Sequence, residues 1–238
     1  MKVTVCVAVC SVALLLSLAP SAYSSPIYYP SWPGGGNLVA FTNIQEDSST
    51  DPNVALYGAH TRSGNKLTFG SASFNATASN GTSDTTQGVL RLTIEAFGGN
   101  SLKAIKVSEL GQYSLSISGD STTNASVLAT LTLTDADGIW PNYGTAEASY
   151  NGLWARPTFT TGQWSSGNSL LIDLSTTGIK KIDLVLTNTL TAHSQAGTNA
   201  SITKQLESVA GSIEVVIPEP TTIGLVLLGV LGLLRKRS

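Results

Sequence analysis

Between residues 139 and 164 the chain reads IWPNYGTAEASYNGLWARPTFTTGQW, and this stretch holds three of the four tryptophans in 238 residues. Trp140, Trp154 and Trp164 are joined there by Tyr143, Tyr150 and Phe159. Flat rings with one polar edge suit stacking on sugar faces, and Asn142, Glu147, Asn151 and Arg156 stand beside them as partners for hydroxyls. Exposed side by side, Trp140, Tyr143, Tyr150, Trp154 and Trp164 would make a carbohydrate-binding surface. Buried, the same rings would plug the open end of a β-sandwich and pin a loop. The start of the stretch lacks strand alternation, so a long loop is expected over much of it.

Other candidate chemistry is sparser. Asp135-Ala136-Asp137-Gly138 has the opening of a calcium loop, but Ile139 and Pro141 occupy the next alternate positions where oxygen ligands are needed. An Asp-Gly turn accounts for those residues. His60 and His193 are the only histidines, and no G-x-S-x-G nucleophile turn accompanies them. Glu95, Glu109, Glu147 and Asp173 would serve glycoside hydrolysis only if the fold brought two of them together. Asn-x-Ser/Thr sequons at Asn75, Asn80, Asn124 and Asn199 are expected by chance in so Ser/Thr-rich a chain. The TLTLT run at 130–134 is too short to make an ice-binding face. No catalytic residue, metal site or cofactor is expected, and the chain is read as a non-enzyme.

The C-terminal residues VIPEPTTIGLVLLGVLGLLRKRS carry a different message. The apolar run 221–234 would be about 21 Å long as a helix, short of a hydrocarbon core of about 30 Å. Pro218, Glu219 and Pro220 block its extension backward. Arg235, Lys236 and Arg237 follow it and would stay cytoplasmic, leaving the domain outside. So marginal an anchor suits a segment held briefly and then cut. The ordered trio of Pro-Glu-Pro triplet, short Leu/Gly-rich span and basic cluster resembles the PEP-CTERM sorting signal of Gram-negative bacteria, over residues 216–238. The resemblance implies export, transient anchoring in the inner membrane, and recognition of Pro218, Glu219 and Pro220 by an exosortase-type membrane enzyme. It also implies a place at the cell surface or in the extracellular polymeric matrix.

The N-terminus fits that route. MKVTVCVAVCSVALLLSLAPSAYSS has one basic residue, an apolar run and small residues for cleavage after Ser24, or after Ser21. Both cysteines, Cys6 and Cys10, fall in this segment, so the exported part would have no disulfide, thiol nucleophile or thiolate metal site. Setting aside Lys2 and the three terminal cations leaves nine basic against fifteen acidic side chains. That mildly acidic balance, with no basic run, argues against nucleic acid as a partner.

What must position any site is a set of half-buried strands. GVLRLTIEAF sets Leu90, Leu92, Ile94 and Ala96 on one face; QYSLSIS does so with Tyr113, Leu115 and Ile117. SVLATLTLTD, KKIDLVLTN and GSIEVVI alternate in the same way, the last running nearly into the Pro-Glu-Pro triplet. Turns are signalled at Ser63-Gly64-Asn65, Asn80-Gly81, Gly98-Gly99, Gly119-Asp120 and Gly167-Asn168. The expected fold is all-β: an antiparallel, jelly-roll-like β-sandwich over 41–217, between a signal helix at 1–24 and a short hydrophobic helix at 221–234. The Pro/Gly-rich arm 25–40 is expected to be extended, with Tyr28, Tyr29 and Trp32 on a sheet edge or free. The expected role is structural or adhesive within the matrix, with a carbohydrate-binding module, and so an extracellular polysaccharide partner, as the alternative.

Overall fold

Alternation in the sequence becomes alternation in burial. Leu90, Leu92 and Ile94 are buried, as are Val127, Ala129, Leu131 and Leu133, and Ile182, Leu184 and Leu186. The computed structural model describes residues 25–34, 38–70, 74–140, 144–204 and 211–218. Two antiparallel sheets share one core, and the described residues contain no helix. The expected signal helix, the hydrophobic helix, and Tyr143, Glu219, Pro220, Arg235, Lys236 and Arg237 lie outside the described residues.

The first sheet runs, in spatial order, β1 (Ile27–Tyr28), β2 (Val39–Ser48), β6 (Ser83–Ala96), β12 (Lys181–His193), β8 (Asn124–Asp135) and β9 (Thr145–Ala155). The second runs β3 (His60–Ser63), β4 (Lys66–Phe69), β14 (Gly211–Val216), β7 (Ala104–Leu115), β13 (Asn199–Thr203) and β5 (Asn75–Ser79). Two short strands, β10 (Thr161–Ser165) and β11 (Leu171–Asp173), also pair with β7. The chain crosses repeatedly from one sheet to the other, a jelly-roll-like route. Asn80 and Gly81, with φ of 50° and 83°, make the tight turn by which the chain leaves β5 for β6 in the other sheet.

β7 is the spine of the second sheet. β14 takes one of its edges at residues 104–109 and β13 at 112–115. β10 overlaps β13 on β7, and β11 overlaps β14, so each short strand lies on the edge of β7 opposite the strand it overlaps.

Two local expectations change. Ile117 does not continue the buried face of β7; the strand ends at Leu115 and Ile117 is 82 % exposed. The stretch from 145 is strand rather than long loop, pairing with β8 from Thr145 to Ala155. Its inward face reads Ala146, Ala148, Tyr150, Gly152 and Trp154. Small residues hide that period from a hydrophobicity count. The N-terminal arm is docked: β1 pairs with β2, and Trp32 makes a bridge to Phe41.

Candidate functional site

Three inward positions on otherwise apolar strand faces carry polar groups. On β7 the buried row reads Ile105, Val107, Glu109; on β12 it reads Leu184, Leu186, Asn188, Leu190; along β13 it reads Ala200, Ile202, Lys204. Period two therefore sends Glu109, Asn188 and Lys204 into the core. There they meet. Lys204 Nζ lies 2.5 Å from Glu109 Oε1, with both side chains almost wholly enclosed. Asn188 Nδ2 donates to the same Oε1 at 2.9 Å and to the Tyr57 hydroxyl at 3.1 Å. Tyr57 in turn donates to the carbonyls of Gly88 and Leu186. The cluster spans both sheets.

A second carboxylate enters through a bulge. Register in β2 shifts between Thr42 and Gln45, where Asn43 takes a φ of 52°. Before the shift Val39 and Phe41 face inward; after it Ile44, Glu46 and Ser48 do. Glu46 accepts from the Tyr57 backbone amide at 2.6 Å and from the Tyr29 hydroxyl. Tyr29 belongs to the docked arm, so the arm completes a buried network. A charged group out of water needs such partners.

Burial sets the electrostatics. It pulls the Lys204 ammonium down from its ordinary pKa, against the attraction of Glu109 and Glu46. It raises Tyr57, reinforced by Glu109, and raises Glu46 despite the hydrogen bonds from Tyr29 and Tyr57. The Lys204 nitrogen also sits 4.3 Å from the Tyr57 ring centre and 5.2 Å from that of Phe74. Glu109 Oε2 and Asn188 Oδ1 are buried with no hydrogen-bond partner. A void of ≈ 10 Å³ adjoins the cluster, lined by Glu109, Lys204, Phe69, Leu186 and Gly211 among others. It is at the threshold for one water-sized molecule.

Among the described aromatic residues of 139–164, Tyr150, Trp154 and Trp164 sit between the sheets' edges. Trp154 stacks on Tyr113 at 4.7 Å and Tyr150 on Trp164 at 6.1 Å, while Trp154 tilts toward Trp164 at 6.5 Å. Trp164 is buried; Tyr150, Trp154 and Trp140 are partly buried against the core. Trp164 donates its indole N–H across β7 to the Thr203 carbonyl, 3.2 Å away. The rings face one another and close the gap between β9 and β10. Phe159 flanks them, edge-on to Tyr113.

The remaining sequence candidates disperse. Of the four acids, Glu109 is buried, Glu95 pairs with Lys181 at the surface, and Glu147 and Asp173 are exposed on separate sheets. Asp135 accepts amide hydrogens from Asp137, Gly138 and Trp140, and Asp137 from Lys180 and Lys181. These carboxylates stitch a turn. No group of three or more His, Cys, Asp or Glu suited to a metal occurs among the described residues. His60 and His193 stand apart: the first packs among Tyr29, Trp32 and Phe69, and the second contacts Ser83 on the neighbouring strand.

No family model matches the chain, and no curated protein matches it significantly. Among solved structures it is similar to the VP2 protein of infectious bursal disease virus, at 21 % identity and a TM-score of 0.27, covering 60 % of this chain and 30 % of that one. Tailspike protein 4 of bacteriophage CBA120 gives 13 % identity and a TM-score of 0.23, with 60 % and 19 % covered. Lectin II from Ulex europaeus gives 6 % and 0.18, with 82 % and 99 % covered. The chain spans less than a third of the viral and phage proteins, and likenesses this weak assign it no role.

Proposed function

We propose that this is an exported, surface-sorted bacterial protein that serves as a structural or adhesive part of the extracellular polymeric matrix. An exosortase-type enzyme would act on the signal at Pro218, Glu219 and Pro220, with 221–234 as a transient anchor and Arg235, Lys236 and Arg237 held inside. The observation that carries the reading is the way the chain leaves the domain. β14 ends at Val216, two residues before the triplet, and is hydrogen-bonded on both flanks, to β7 and to β4. A tail attached there would transmit load into the middle of a sheet rather than to a peelable edge. That suits a protein tethered by its C-terminus. A carbohydrate-binding role for the 139–164 rings is less well supported, because the rings stack on each other and Trp164 is enclosed.

Intact mass spectrometry of the protein recovered from its own host tests the proposal. A C-terminus near Pro220, free or carrying an added group, is expected. A mass that includes the chain to Ser238 would end the exosortase reading.

A further inference from the structure

The buried cluster holds, in one apolar chamber, an amine, a carboxamide and a carboxyl group touching both. Lys204 Nζ and Asn188 Nδ2 contact the same Glu109 oxygen from different sheets. An ion pair does not need an amide as a third member. A buried ion pair is also weak as a stabilising device, since desolvation offsets much of its attraction. What this arrangement does provide is a nucleophile and an electrophile, each held against the same proton carrier.

We propose that Lys204 and Asn188 join in an intramolecular isopeptide bond, with Glu109 as the catalytic residue. The lone pair of the Lys204 amine attacks Asn188 Cγ, and Glu109 carries a proton from Nζ to Nδ2. The Cγ–Nδ2 bond then breaks, so one amine and one primary amide become one secondary amide and one ammonia. No oxidant, metal or cofactor enters the balance.

Four features of the structure serve this reaction. The amine must be neutral to attack, and burial among Tyr57, Phe74 and Phe69 favours that form. The Asn188 amide is fixed on the Tyr57 hydroxyl as well as on Glu109. Its carbonyl oxygen and Glu109 Oε2 have unused hydrogen-bonding capacity, and rotating the amide by half a turn would place Oδ1 against Glu109 and Tyr57. Glu109, once it has taken a proton from the Lys204 amine, would then polarise the carbonyl under attack. The void beside Glu109 and Lys204 is at the threshold size for a leaving group as small as water.

The product would tie β12 of one sheet to the end of β13 in the other. Its two residues lie sixteen positions apart. With both cysteines in the expected signal segment, the exported part has no disulfide available, and this bond would be its covalent staple.

Trypsin reads the bond directly, because an acylated Lys204 is not cleaved. After Lys181 the next Lys or Arg residues are Lys204 and Arg235, with none between Asn188 and Lys204. In a digest of the denatured, purified chain, the fragment beginning at Ile182 should run uncut through Lys204. It should weigh about 17 Da less than its sequence, the mass of the one ammonia displaced from Asn188. A fragment of unmodified mass ending at Lys204 overturns the proposal. So does the same mass loss with Lys204 still cleaved, which would mean that Asn188 had cyclised by itself. The variant Glu109→Gln preserves size and should restore full mass and cleavage at Lys204. An undiminished cross-link in that variant would remove Glu109 from the mechanism. Should the variant not fold, the wild-type digest still decides.

Discussion

Gly111 shows how little room the core leaves. A Cβ there would stand 2.1 Å from the Thr203 carbonyl oxygen and 2.3 Å from the Trp164 indole, which crosses β7 at this residue. Backbone on one side and a packed ring on the other leave nothing flexible to move. Gly111→Ala should therefore destabilise the fold by about 3 kcal/mol, at the upper end of ordinary overpacking, measured as a shift in the urea midpoint. Tyr29→Phe tests the opposite kind of defect, an acceptor left without its donor. Glu46 would remain buried with only its backbone partners, at a cost of about 1–3 kcal/mol in the same assay. His60 makes a pH prediction. Burial holds its folded pKa below the ordinary value, so the unfolded chain binds the proton first as pH falls. Its contribution is intact above that ordinary value, about 6.5, and is lost as pH drops through it toward the folded one. The melting temperature should fall between about pH 7.5 and pH 5, and His60→Phe should flatten the slope across that window.

At the scale of elements, the docked arm guards an edge. β1 and the Trp32 bridge cover β2, and Arg62 fastens the arm by donating to the carbonyls of Trp32, Pro33 and Val39. Removing residues 25–33 would bare the outer ladder of β2 and leave Glu46 without Tyr29. The truncated protein should be less stable and should self-associate through that edge, seen as a concentration-dependent shift in size-exclusion chromatography. An unchanged monomer would show that the arm only decorates the sheet. The strands themselves were legible, because alternation of Leu, Ile and Val against Thr and Ser marks a sheet with one wet face. β9 was not, since its inward face is made of Ala, Gly and two rings. Of the polar cluster, Glu109 was visible only as one of four acids weighed for glycoside hydrolysis. Its signal was present, though: Glu109, Asn188 and Lys204 each stand at an inward position of an apolar period-two row. What no single row shows is that three rows from distant parts of the chain converge, because that depends on which strands the two sheets bring face to face.

For the whole molecule, the question is how a load on the C-terminal tail is borne. β14 lies antiparallel to β7 over six residues and to β4 over four. Its last residue, Val216, is level with Ala104, whereas the turn holding Ser121 follows the far end of β7. A pull between the tail and a cysteine placed at Ser121 acts along the strands, so the ladder bonds of β14 must fail together. A pull between the tail and a cysteine at Asn65, whose carbonyl accepts from the Val215 amide, opens β14 and β4 from one end, bond by bond. In single-molecule force measurements the Ser121→Cys geometry should therefore rupture at a force several times that of Asn65→Cys. Equal forces would remove the mechanical support for a tethered role. The same Ser121→Cys traces also report on the proposed cross-link. A bond between Asn188 and Lys204 withholds the fifteen intervening residues from extension, shortening the released length by about 50 Å at roughly 3.4 Å per residue. Glu109→Gln should recover that length, and a wild-type trace already at full length would show that the two sheets are held by packing alone.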